Sequence, residues 1–125
     1  MDASPPTRGQ LERSLSQRIQ SLYRTQLEHQ PSRVTCQIFD EKIAIILESS
    51  ITKPEQLLLN SGQEELAGQV RIELDEVLEP QLKALIEEVV GVAVIDLLSN
   101  AKLSTGRSAT VAILAQTPQV RNPSP

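Results

Sequence analysis

The sequence predicts a single α+β domain with element order α-β-β-α-α-β-β, a four-stranded, mostly antiparallel sheet with helices packed on one face. Three observations carry this. Apolar residues recur at helical spacing through two long stretches. Each stretch is followed by two short runs rich in β-branched residues, close enough to pair as a hairpin. And 125 residues leave room for one domain and one core.

Leu11, Leu15, Ile19, Leu22, Tyr23 and Leu27 form the first apolar stripe, with Arg13, Arg18 and Arg24 off it. Pro31 stops that helix. Residues 34–39 alternate with period two, Asp40-Glu41 makes a polar break, and residues 43–47 are apolar on both faces, as in a central strand. Thr52-Lys-Pro-Glu55 reads as a capping box, with the Glu55 carboxylate reaching back to the Thr52 N–H. Ser61-Gly-Gln-Glu64 reads as a second box, opening the longest helix, which runs to about Val90.

That helix carries Leu66, Val70, Leu74, Val77, Leu78, Leu82, Leu85, Ile86 and Val89 as one stripe. The phase holds across Pro80, which predicts one kinked helix rather than two. Gly91 supplies the C-terminal cap. Residues 92–98 are the third strand, 99–107 a polar loop, and 108–115 the fourth strand. The proline-rich ends, 1–8 and 117–125, read as disordered tails around a domain at 9–116.

Composition narrows the function. The aromatic residues are Tyr23 and Phe39 alone, which argues against base stacking on a sheet as a binding mode. Cys36 is the only cysteine, which fits a reducing compartment, and its alternation with Val34 and Ile38 turns it to the core. His29 is the only histidine, and no close-spaced ligand pair accompanies it. No phosphate-loop spacing is present either. The expectation is a non-enzymatic protein with no cofactor, no catalytic residue and no metal site. No signal-type apolar run and no stretch long enough for a membrane span is found, so the cytoplasm is the expected location.

Charge is the most uneven feature. Residues 61–90 hold eight acids and two bases, a net charge of −6. Such a face repels a phosphate backbone, so nucleic acid is disfavoured as a partner. A solvated helix face explains the run. A docking surface is the sharper reading, built from Arg13, Arg18 and Arg24 on the first helix and Glu73, Glu76 and Glu79 on the long one. A second function class is a small-ligand or anion sensor, using the sheet–helix groove or a loop of Ser104, Thr105 and Arg107. The width of the first apolar stripe, around Tyr23, leaves homodimerisation open.

An ordered set of residues resembles the small bacterial MpsC-like family. It comprises Gly9, Pro31, Phe39-Asp40, Thr52-x-x-Glu55-Gln56-x-Leu58, Gly62, Val70-Arg71, Ile86-Glu-Glu-x-x-Gly91 and Thr105-Gly106-Arg107. Two stretches depart from the family pattern. Glu28-His29-Gln30-Pro31 stands where a glycine-rich turn is common, and Ala-Ile-Leu-Ala ends the last strand where aromatics are common. The resemblance implies an accessory protein of the cytoplasm: some relatives are named as components of a sodium-translocating, membrane-potential-generating system, whose membrane partners resemble inorganic-carbon uptake machinery. It brings no catalytic residues.

Overall fold

The computed structural model describes residues 4–122. Its elements are α1 (Arg8–Leu27), β1 (Arg33–Phe39), β2 (Lys42–Glu48), α2 (Lys53–Asn60), α3 (Glu64–Val90), β3 (Val94–Lys102) and β4 (Arg107–Leu114). The order is the one the hydrophobic pattern predicts. All strand pairs are antiparallel, and the spatial order is β1-β2-β4-β3. The second hairpin therefore inserts β4 beside β2 and leaves β3 at the edge.

Alternation assigns the two faces. Cys36, Ile38, Ile43, Ile45, Leu47, Ala112 and Leu114 point to the helices and are buried. They pack with Leu11, Leu15, Ile19 and Tyr23 of α1 and with Leu78, Leu82, Leu85, Ile86 and Val90 of α3. Leucine and isoleucine dominate because almost no aromatic volume is available. Glu12 on α1 accepts a hydrogen bond from the Ile38 N–H at 2.7 Å, so the helix also satisfies a donor on the edge strand β1. Burial holds the Cys36 thiol up at about 11, so it stays protonated at neutral pH. Iodoacetamide is expected to label Cys36 only after denaturation. Rapid labelling of the native protein would contradict this placement.

Four local expectations are revised. Ser61 does not open α3. It closes α2, its Oγ donating to the Leu57 carbonyl at 2.8 Å, while Gly62 takes φ +78 and α3 starts from Gln63. The third strand runs to Lys102, because Ser99, Asn100, Ala101 and Lys102 pair with Thr110, Ala109, Ser108 and Arg107. The expected polar loop thus shrinks to a tight turn at 103–106, with Gly106 at φ +76.

The long apolar stripe is also split. Leu66 and Val77 are exposed, whereas Ala67, Arg71, Leu78, Leu82, Leu85 and Ile86 are buried. The reason is geometric. A run of residues spaced by four gains about 40° per step at about 100° per residue, so it winds away from any one neighbour over the length of α3. α3 nevertheless passes through Pro80 as one helix and ends on Gly91, at φ +73.

The ends of the described chain are tied together. Thr7 caps α1, its Oγ1 accepting from the Gln10 N–H at 3.1 Å, so the helix begins one residue before the expected boundary. Arg121 donates its N–H to the Pro6 carbonyl at 2.9 Å, and Pro118 is buried. The parts of the expected tails at 1–3 and 123–125 lie outside the described residues.

Candidate functional site: a buried ion network, a cleft and an open sheet face

Three features stand out from a generic core. The first is a charged network under α2. Glu55 is fully buried and Arg71 is 4% exposed. The Arg71 guanidinium grips both Glu55 oxygens, Nε to Oε2 at 2.8 Å and Nη2 to Oε1 at 2.6 Å. Nη2 also donates to the Ser50 carbonyl at 2.9 Å, and Nη1 lies 3.4 Å from Asp75. Glu55 Oε1 accepts in addition from the Thr52 N–H at 3.1 Å and from its hydroxyl at 2.8 Å. Ser50 donates from both N and Oγ to the Gly106 carbonyl, at 2.8 and 3.1 Å. The network thus ties the end of β2, the start of α2, the middle of α3 and the β3–β4 turn together.

Sequence reasoning read Glu55 as a helix cap and Arg71 as one of two bases in an acidic run. Both roles were incomplete. The missed signal was spacing: Arg71 falls four residues after Ala67 and seven before Leu78, on the buried side of α3. A base at such a position needs a buried acid, and the capping Glu55 is that acid.

The second feature is a cleft of about 240 Å³ between α3, the end of α1 and the helix-side face of β3–β4. Leu78, Leu82 and Leu97 form its apolar base, and Tyr23, Ser99 and Thr110 stand at its polar wall. Ser99 and Thr110 satisfy each other across the strands at 2.8 Å. Asp75, Glu76 and Glu79 sit at its rim. Burial pushes the Asp75 carboxyl up from its ordinary value, partly offset by Arg71.

Burial, reinforced by the charge of Asp75, pushes the Tyr23 phenol up to about 12. The fold therefore favours the neutral phenol. Its contribution to stability is full below about pH 10 and is lost as pH rises through about 12. Tyr23 is the only tyrosine and there is no tryptophan, so the ultraviolet tyrosinate band reports this group alone. A titration midpoint near 12 is expected in the native protein, and a midpoint near 10 in the native protein would show the cleft wall to be solvated.

The third feature is the helix-free face of the sheet. The register places Gln37, Ala44, Val111 and Leu98 in one row and Thr35, Ile46, Ala109 and Asn100 in the next. The centre is apolar, and Leu98 is 56% exposed. Among the described residues, no helix packs on this side. One end of the face is basic: Arg33, Lys102 and Arg107 flank Glu48, with Arg107 Nε donating to Glu48 at 2.7 Å.

The residues singled out by charge are spread over the surface. Arg13 and Arg24 are exposed on α1, and Arg18 pairs with Glu88 of α3 at 2.9 Å. Glu73, Glu76 and Glu79 are all exposed, but only Glu76 and Glu79 reach the cleft, while Glu73 accepts from Gln69. In the turn, Ser104 and Thr105 are exposed and the Arg107 guanidinium is already engaged by Glu48. His29 donates from Nε2 to the Ser49 carbonyl at 2.6 Å, which holds the chain after α1 against the end of β2.

Compared with known families, residues 7–116 match the family described as Na+-translocating membrane potential-generating system (MpsC). The chain belongs to the MpsC family. The match begins at the Thr7 cap of α1 and ends just after β4, so it takes in the ion network, the cleft and the open face of this MpsC chain together. No curated protein and no solved structure matches it. Among the described residues, no helix is long and apolar enough to cross a membrane.

Proposed function

We propose that this MpsC chain is a non-enzymatic accessory or regulatory protein of the cytoplasm that works by protein–protein contact, with the helix-free face of its sheet as the working surface. The observation that carries the reading is the apolar centre at Ala44, Ile46, Ala109, Val111 and Leu98, which no helix covers among the described residues, while Cys36, Ile38, Ile43, Ile45, Leu47, Ala112 and Leu114 on the opposite face are buried. The basic end at Arg33, Lys102 and Arg107 defines the partner's chemistry: an apolar patch bordered by acidic residues. The family description supports a component of an ion-translocating membrane system as the owner of that patch.

Area argues for a partner larger than a second copy. Four strands about 4.8 Å apart and about seven residues long present roughly 400–500 Å². A standard interface needs about 800 Å² per partner. Self-pairing through this face alone falls short, whereas a larger partner also engages the rim. The test is a pull-down of the full chain with intact membranes. Recovery of a membrane protein, lost when Arg33 and Lys102 are both changed to Glu, is the expected result. Recovery of no protein, recovery of a second copy only, or capture unaffected by the charge reversal overturns it.

A further inference from the structure

The cleft beside Tyr23 holds an unmatched set of groups. Ser108 is 8% exposed and points from the helix-side face of β4, and its Oγ has no hydrogen-bond partner among the described residues. A buried hydroxyl left unpaired is costly, whereas a ligand that pairs with it removes that cost. Charge in the same cleft is also unmatched. Its lining contains three carboxylates, Asp75, Glu76 and Glu79, and no basic side chain. Arg71, the cation that meets Asp75, is taken up by its two short bonds to Glu55, leaving Asp75 only a long 3.4 Å contact.

We propose that this cleft binds a small aliphatic ammonium compound, with the ammonium at Asp75, the stem over Leu78, Leu82 and Leu97, and a second polar end at Ser108. The volume, about 240 Å³, lies just below the roughly 300–1,000 Å³ of drug-sized pockets and sets the ligand as a small one. A bare divalent metal is the wrong guest. It needs several hard ligands, and the described residues contain no group of three or more acids, histidines or cysteines placed to hold one. An anion is repelled by the rim. The apolar base distinguishes an aliphatic amine from ammonium itself.

Three probes of similar length and different charge test this on the full chain by titration calorimetry: putrescine, butanediol and succinate. Putrescine is expected to bind, and the neutral and anionic probes are not. Removing one charge-assisted contact is worth about 1.5–3 kcal/mol, so Asp75→Asn is expected to weaken putrescine about tenfold or more. Ser108→Ala is expected to weaken it by a smaller factor. It also decides the matter if the Asp75 variant fails to fold, because it removes only the unpaired hydroxyl. Ile46→Glu, on the opposite face of the sheet, is expected to bind putrescine like the unaltered protein, which separates this site from the docking surface. Failure of putrescine to bind, equal binding of succinate, or undiminished affinity in the folded variants overturns the proposal.

Discussion

Replacing Arg71 with methionine is expected to destabilise the fold by about 3–5 kcal/mol, one of the largest single-residue effects open to this chain. The loss comes from what remains. Glu55 is fully buried, and it would keep only the two donors of Thr52. Asp75 would lose its one cation as well. Exposed pairs such as Arg18–Glu88 contribute at most about 1 kcal/mol, so their removal makes a scale for comparison. A domain with a typical stability of about 5–15 kcal/mol would be brought near the edge of folding. Urea denaturation followed by circular dichroism measures the change. Adding Glu55→Gln to the Arg71→Met background is expected to recover part of the loss, because it removes the stranded charge. A change below about 1 kcal/mol in the single variant would mean that the network contributes little.

The second large effect is on binding. Changing Ile46 and Leu98 to glutamate puts two negative charges in the apolar centre of the open face. Both side chains are substantially exposed, and neither belongs to the buried core. Stability is therefore expected to move by no more than about 1 kcal/mol. Affinity for the membrane partner is expected to fall by at least about 2 kcal/mol, roughly thirtyfold, through loss of apolar contact and repulsion from the acidic border. Glutamate at Val77, a still more exposed apolar residue on α3, serves as the control and should leave binding unchanged.

The order of elements was legible because it depends on local pattern. Helical spacing at Leu11, Leu15 and Ile19, alternation from Val34 to Phe39 and the glycine stop at Gly91 each specify structure without reference to the rest of the chain. Cys36 was legible for the same reason. What the pattern left out depends on pairing between distant segments. Ser99 to Lys102 look like loop because three of the four are polar. They extend as strand because β4 supplies their hydrogen-bond partners and because their outward side chains need no burial. The split of the α3 stripe follows from the 3.6-residue turn acting over 27 residues, where a count of apolar positions registers only membership.

The sites were less legible than the fold. Glu55 and Arg71 lie 16 residues apart, and each has a sufficient local explanation, as a cap and as a surface base. Both stand among the residues that carry the family resemblance, Thr52-x-x-Glu55 and Val70-Arg71. The cleft joins residues of α1, α3, β3 and β4, so no run of sequence contains it. Only the acidity of its rim was visible, in Glu76 and Glu79. The open sheet face was hidden because its outward residues, such as Ala44, Ala109 and Val111, are small and apolar like the core positions beside them.

Site-specific photocrosslinking tests the central claim most directly. A photoreactive residue at Leu98, in the full chain incubated with intact membranes, is expected to give a covalent adduct with a membrane protein. The same group at Val77 on α3 is expected to give none. Adducts from Val77 but not Leu98, or from Leu98 to a second copy of the chain alone, would contradict the assignment of the open sheet face as the surface that meets the membrane partner.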